Sequence, residues 1–352
     1  MTKPTEYPTR TPAYNGDGVA SAACKSRDLY QEVTDRIVVA LEAGVVPWVR
    51  PWNTRGGLPL NGATGRHYNG INVLLLWLTA LQRGYTSPEW YTFNQACAAV
   101  GLTKDERGRW IYEAGKGVRK GERGTCVTFW RMITVGDHAD TPPDGEPDEK
   151  EIPLLRGYTV FNREQIDGLP GVTPPTEPDA GEALRFYDVD QFIHRTGAAV
   201  KQSRTALTPV YLPAKDEIVM PLLGCFVTVE DYYASLLHEL VHWSGHPSRL
   251  HRLLTASTET QEYAAEELVA ELGAAFLCAD LGVTGHLQQP EYIAFWLGAM
   301  REDKRAIFRA ASTARKAAAY LHEAGASPDH STGALGNSGE DEPDADTLGK
   351  VA

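Results

Sequence analysis

The stretch Leu236-Leu237-His238-Glu239-Leu240-Val241-His242-Trp243 constrains this chain more than any other. Its apolar residues recur at helical spacing, which predicts one helix with a buried face. Residues four apart lie on the same helix face, so His238 and His242 point at one spot. Two imidazoles so placed supply half of a tetrahedral zinc site. Glu239, beside the first histidine, can take a proton from a water at such a metal. The same five residues also suit a buried helix whose histidines hydrogen-bond internally, so a second element has to decide.

That element is Glu266-Glu267-Leu268-Val269-Ala270-Glu271-Leu272, within a helix expected over 259–281. Glu267 and Glu271 are four apart and surrounded in sequence by apolar residues. An unpaired buried carboxylate is very costly, and a divalent metal is a suitable partner. A solvated glutamate face is the plainer alternative. With His238 and His242 upstream, the metal site is the better reading.

The 352 residues are 42% hydrophobic and 23% charged, as in a soluble globular protein of two ordinary domains. No apolar run is long enough to span a membrane. The Thr- and Pro-rich first fifteen residues lack the apolar core of a secretory signal. Five scattered cysteines form no C-x-x-C pair, which suggests reduced thiols, a cytoplasmic location and no cysteine zinc site. The net charge of −12 argues against nucleic acid, but it is an average. Residues 27–131 hold 14 Lys/Arg against 9 Asp/Glu, a balance of +5. The acidity lies elsewhere.

In chain order, residues 1–25 read as disordered. Residues 26–168 read as an α+β domain in which aromatics and basic residues interleave. It has helices from Leu29 to Leu41, Val73 to Gln82 and Phe93 to Val100, and strands at Cys126–Trp130 and Leu155–Phe161. An acidic, Pro-containing loop is expected over 137–151. Residues 169–183, with four prolines, read as a linker. Residues 184–325 read as a mainly helical domain with a small sheet from Pro209–Pro213 and Asp216–Pro221. The helices expected there cover 189–196, the His238 segment capped by Thr228, 259–281, and 290–323 opened by Pro290. Beyond 325 the chain reads as an acidic disordered tail.

The two metal-site helices resemble those of glutamate-ligand zincins, the thermolysin-like and phage-repressor-protease-like peptidases. The resemblance implies His238, His242 and Glu267 as ligands and Glu271 as the group orienting a ligand histidine. The reverse assignment, with Glu271 as ligand, stays open, and Glu266 is the least favoured of the three. Zinc is the implied metal, with another divalent ion tolerated. Peptide hydrolysis is the implied chemistry, with Glu239 as general base. Tyr292 and His246 are candidates for stabilising the oxyanion, although Tyr292 also suits a core beside Phe295 and Trp296. The strand with Tyr211 or that with Ile218 to Pro221 could pair with a substrate backbone, or be ordinary sheet.

In the N-terminal half, Trp48, Trp52, Tyr68, Trp90 and Trp130 are possible platforms for bases. Arg50, Arg66, Lys116, Arg119, Lys120 and Arg123 could track phosphates. Aromatics are more often core, and Trp77 and Trp130 are assigned there. Gly44-Val45-Val46-Pro47-Trp48 with Pro51-Trp52, then Arg66-x-Tyr68-x-Gly70-Ile71-Asn72, then Val118-Arg119-Lys120-Gly121-Glu122-Arg123, resemble the N-terminal domain of ArdC-type antirestriction proteins. That domain is shared with TraC-type plasmid primases, and the resemblance implies single-stranded DNA as partner. It covers about residues 26–325, both domains in order, and adds Asn72 to the DNA-binding candidates. It implies a plasmid- or phage-borne antirestriction protein that shields entering single strands from endonucleases. A metallopeptidase effector that cleaves a host protein, with the N-terminal half as targeting module, is the alternative. A binding module with a structural metal is a third reading. The acidic loop and tail are additions without an assigned role.

Overall fold

A computed structural model describes residues 28–48, 57–136, 149–171, 181–252, 261–285 and 290–326. The fold is α+β with two domains. Helix α1 (Leu29–Glu42) begins where Asp28 accepts the Gln31 N–H at 3.2 Å, so an N-cap replaces a missing helical partner. Strand β1 (Leu60–Asn61) precedes α2 (Ile71–Arg83), which ends at Gly84 in the left-handed conformation that glycine adopts without strain. Then come β2 (Glu89–Thr92), α3 (Phe93–Ala99) and β3 (Gly117–Val118). Strands β4 (Thr125–Gly136) and β5 (Glu149–Asn162) form a long antiparallel hairpin, and β6 (Ile166–Asp167) pairs with β3. The main sheet has the order β1-β2-β5-β4.

The hairpin is longer than the sequence suggests. Pairing continues from Thr125↔Val160 out to Gly136↔Glu149, so 149–151 belong to a strand and not to the acidic loop. Backbone pairing with an apolar partner strand overrides the local acidic composition there. The rest of that loop, 137–148, and both expected disordered termini lie outside the described residues apart from Ala326.

The second half starts with α4 (Gly181–Thr196), which reaches back to the end of the expected linker. A three-stranded sheet follows, of β7 (Ala199–Ser203), β8 (Val210–Leu212) and β9 (Glu217–Pro221), in the order β7-β9-β8. Thus β8 is an edge and β9 is central, which rules out Ile218 to Pro221 as an edge for substrate. Strand β7, mostly polar and largely exposed, had no apolar alternation to reveal it. Then come α5 (Val229–Ser244), α6 (Gln261–Leu281), α7 (Pro290–Glu302) and α8 (Ala306–Gly325). The single helix expected over 290–323 is therefore two. Asp303 breaks it, since its carboxylate accepts the Arg305 N–H at 2.8 Å and its carbonyl the Ala306 N–H at 2.9 Å.

Helix α6 is buried nearly all round, from Glu266 to Ala279, as expected for a helix at the centre of a core. One continuous buried cluster joins α1 and α2 to α5, α6 and α8. Aromatic pairs cross between the halves: Tyr30 with Phe308 at 4.8 Å, Trp48 with Trp296 at 5.7 Å, and Trp77 with Phe276 at 6.1 Å. The two domains share a core. Among the described residues no helix is long and apolar enough to cross a membrane.

Candidate metal centre

Helix α5 is started by Thr228, whose hydroxyl accepts the Asp231 N–H at 3.0 Å. Its geometry sets the His238 and His242 rings 4.8 Å apart, with their Nε2 atoms facing at 3.2 Å. Helix α6 packs closely on α5. A Cβ on Gly273 would lie 3.0 Å from both Val241 methyls, so a glycine permits this approach. Glu267 then bridges the two rings, with Oε2 at 3.3 Å from His238 Nε2 and Oε1 at 3.4 Å from His242 Nε2. A tetrahedral metal with ligand bonds of about 2.0–2.1 Å holds its donors roughly 3.3 Å apart. The 3.2 Å gap between the imidazoles has that spacing, as do the 3.3 and 3.4 Å contacts that the two Glu267 oxygens make, one to each ring. Among the described residues, these three form a group able to hold a metal.

The electrostatics suit a cation. Burial pushes the His242 imidazolium down, but hydrogen bonds to Glu266 and Glu267 outweigh it and raise its pKa to about 10. His238 moves up as well, against its burial, through its hydrogen bond to Glu267. Burial likewise pushes Glu267 up, but the two imidazoles hold it well below the usual carboxylate range. Without metal, the cluster therefore keeps positive charge as protons.

The surrounding residues add to the expected pattern. Glu266 faces His242 Nδ1 at 3.3 Å and is gripped by Arg252 through contacts of 2.9–3.2 Å. Arg252 also donates to Ser244 Oγ and to the Val241 carbonyl, which ties the end of α5 to α6. So Glu266 takes an orienting place beside His242. Glu271 is buried, and its charge acts on His238. Glu239 accepts the backbone N–H of Tyr211 on β8 at 2.7 Å through Oε2. Tyr211 is held in turn, its hydroxyl bonding to Asp216 at 2.8 Å. Asp216 forms a two-point ion pair with Arg249, which lies 3.8 Å over the Trp243 ring.

The two candidate oxyanion helpers have other partners. His246 Nδ1 pairs with Ser248 Oγ at 2.8 Å in its own loop. Tyr292 is hydrogen-bonded to Tyr263 and stacks on Trp296 at 6.3 Å. Tyr263 is the tyrosine that reaches the cluster, hydrogen-bonding Glu267 one helical turn away. Burial first, then the charge of Glu267, push its phenol up, so it stays a donor. Tyr263 sits four residues before Glu267, a spacing that could have identified it. Nothing in the sequence marks Arg249 or Arg252.

The DNA-binding candidates divide. Trp48, Tyr68 and Trp90 are only 3%, 2% and 1% exposed, so the core closes them to a base. Trp48 packs on Trp296, and Trp90 on Tyr85 at 6.0 Å. Asn72 fastens α2 to β4, accepting the Thr128 N–H at 2.8 Å and donating to its carbonyl at 2.7 Å. Lys116 pairs with Glu113, and Arg119 with Glu122 and Asp167. Arg66, Lys120 and Arg123 are exposed, and Lys120 and Arg123 have no ion pair among the described residues. Arg50 and Trp52 lie outside the described residues. Trp130, assigned to the core from sequence, is 40% exposed, whereas Trp77 is partly buried.

Comparison with known proteins matches both halves. Residues 27–161 match the N-terminal domain of the anti-restriction factor ArdC, and residues 187–313 match a zincin-like metallopeptidase family. The chain is 38% identical over 303 residues to the uncharacterized protein y4eC of Sinorhizobium fredii, covering 84% of this chain and 92% of that one. It is 35% identical over 306 residues to the DNA primase TraC of Escherichia coli, but covers only 26% of that longer protein and 82% of itself. Two crystal structures of the antirestriction ArdC protein from plasmid R388 are similar over 85% of this chain. The metal-free form has a TM-score of 0.68 at 41% identity, with 98% of it covered. The Mn(II)-bound form has a TM-score of 0.65 at 39% identity, with 99% covered.

Proposed function

The chain belongs to the ArdC antirestriction family, and from that membership we propose that its N-terminal half captures single-stranded DNA entering a cell and shields it from endonucleases, while its C-terminal half is a zinc-dependent peptidase. The observation that carries the second part is the convergence of His238, His242 and Glu267, whose donor atoms lie within 4.8 Å of one another. Zinc suits two imidazoles and a carboxylate. The Mn(II) form of the R388 protein supports a site that also takes manganese. Three protein donors leave a fourth position for water or substrate.

The bound ion would supply Lewis acidity to a scissile carbonyl and acidify the attacking water. This chain's residues do the rest. Tyr211 N–H fixes Glu239 through Oε2, which leaves Oε1 to take the proton from the water and pass it to the leaving amine. Arg249 and Asp216 hold the turn that positions Tyr211. Glu266 and Arg252 set the His242 ring.

A second reading, an effector that cleaves a host protein, draws support from β8. This edge strand abuts Glu239 and exposes Val210, as needed to add an extended peptide. Nuclease protection of single-stranded DNA by wild type, Glu239→Ala and Lys120→Ala/Arg123→Ala separates the two. Full protection by Glu239→Ala, with weaker protection by the double variant, is the expected result. Loss of protection with Glu239→Ala would favour the effector reading, and a wild type that protects nothing would end the shielding one.

A further inference from the structure

With Trp48, Tyr68 and Trp90 inside the core, a single-strand binder needs another place for its bases. Trp130 is the exposed tryptophan of the described residues. Its neighbours Val127, Thr128 and Phe129 on β4 are all buried, so its exposure is local. The indole leans on Tyr30 of α1 with centroids 5.9 Å apart and planes at 55°. Tyr30 is itself braced edge-on by Phe308 of α8 at 4.8 Å, and the Arg305 guanidinium lies over its ring at 4.8 Å. The Tyr30 ring is thus engaged by three groups, while Trp130 keeps surface to offer.

The charge around this aromatic group is uneven. At the junction of α7 and α8, Arg301 pairs with Glu42, Lys304 with Asp28 and Arg309 with Asp303. Arg305, in the same turn and exposed, has no carboxylate partner among the described residues. It is also the N-cap residue of the twenty-residue α8, whose first turn has no acid and no side-chain cap. The Asp303 carboxylate answers that helix end by accepting the Arg305 N–H at 2.8 Å, so the guanidinium over Tyr30 is the cation that remains to offer. A stacking surface beside a planar cation whose guanidinium has no carboxylate contact has the chemistry of a nucleotide site. The aromatic takes the base and the guanidinium takes the phosphate.

We propose that Trp130, Tyr30 and Arg305 form a stacking site for one nucleotide of single-stranded DNA, with the base on Trp130 and the phosphate against Arg305. The proposal rests on the single-strand reading of the N-terminal half. A base paired inside a duplex presents no face to Trp130, so the site prefers single strands. It draws on both halves of the chain, since α1 and β4 supply the rings and α8 the cation.

Fluorescence anisotropy with a short labelled oligothymidine, and with a duplex of mixed sequence, tests this on the full chain. The variants are Trp130→Ala, Trp130→Phe, Arg305→Ala and Arg309→Ala, each checked for an unchanged melting temperature. Trp130→Ala should lose about 5- to 150-fold in single-strand affinity, the worth of one base stack, and Trp130→Phe should recover most of it. Arg305→Ala should lower the magnitude of the slope of log affinity against log salt by about 0.7, one phosphate contact. Arg309→Ala, already neutralised by Asp303, should bind as wild type. Wild-type binding with undiminished Trp130→Ala binding would overturn the site and leave the single-strand reading standing. Equal weakening by Arg305→Ala and Arg309→Ala would reduce the site to diffuse charge and also overturn it. Failure of the wild type to bind the oligonucleotide would remove the reading on which the site rests.

Discussion

Stripped of metal, the folded chain should lose stability as the pH rises from 6.5 towards 10, and its metal-loaded form should not. His242 carries the effect. In the unfolded chain its imidazole titrates near 6.5, and in the fold, hydrogen-bonded to Glu266 and Glu267 despite its burial, near 10. A group whose folded pKa is raised contributes its stability below the unfolded value and loses it as pH climbs through the folded one. Each unit of difference corresponds to about 1.4 kcal/mol, so the full window is worth on the order of 5 kcal/mol. Glu267 acts in the opposite sense and elsewhere. Its depressed carboxyl contributes above its unfolded value of 4.5 and fails only in acid, outside this window.

Metal reverses the slope, because an ion held by His238, His242 and Glu267 must displace the His242 proton, and the His238 proton where one is held. Affinity should therefore rise about tenfold per pH unit for each proton displaced, across 6.5 to 10. Differential scanning calorimetry of chelated and zinc-loaded protein over that range measures the first effect. Isothermal titration in buffers of different ionisation enthalpy counts the protons released on binding. A chelated protein whose melting temperature stays level or rises with pH, or metal binding that releases no proton at neutral pH, would refute the reasoning.

Tyr263→Phe removes the hydroxyl that bonds Glu267 while keeping the ring packed on Tyr292. It should weaken zinc by about 10- to 100-fold in a chelator competition, the usual cost of losing an orienting hydrogen bond. Unchanged affinity would place the hydroxyl outside the site's support. Arg252→Ala leaves Glu266 buried without its guanidinium. Urea denaturation of the chelated protein should show a loss of about 3 kcal/mol. A loss within experimental scatter would mean that His242 alone satisfies Glu266.

The candidate metal site was legible because helical periodicity is a one-dimensional rule. Residues four apart fall on one face, so His238 with His242 could be paired from spacing alone, as could Glu267 with Glu271 as a buried acidic face. What spacing does not encode is which neighbouring acid faces which imidazole nitrogen. That depends on the crossing of α5 and α6, set in part by the missing side chain of Gly273 against Val241. So Glu266, one residue from the expected face, meets His242 Nδ1. Arg249 and Arg252 were illegible for another reason. They sit in a Pro- and Ser-containing loop whose composition reads as solvent, and only the folded chain brings them to Asp216 and Glu266. The single helix drawn over 290–323 failed because the charged run Arg301 to Arg305 holds no Gly or Pro to mark a stop, while the Asp303 side chain, bonding the nearby backbone, ends α7.

The aromatics of the N-terminal half carry the larger lesson. The segment Val45-Val46-Pro47-Trp48 ends in an indole that is buried against Trp296, and Trp296 donates its own N–H to the Ala264 carbonyl at 2.8 Å. Trp296 stacks on Tyr292, which bonds Tyr263, which bonds Glu267. The residues by which the N-terminal half resembles its family therefore include part of the seam that packs it on the helices of the metal site. Burying a large aromatic between two layers gains apolar contact on both sides of the ring, so a tryptophan is well suited to such a seam. A residue that must meet a DNA base has the opposite requirement, a face left in water, and within this fold Trp130 meets it while Trp48 does not. Resemblance in sequence pointed to the half proposed to meet DNA, but burial limits which of its residues can touch a base.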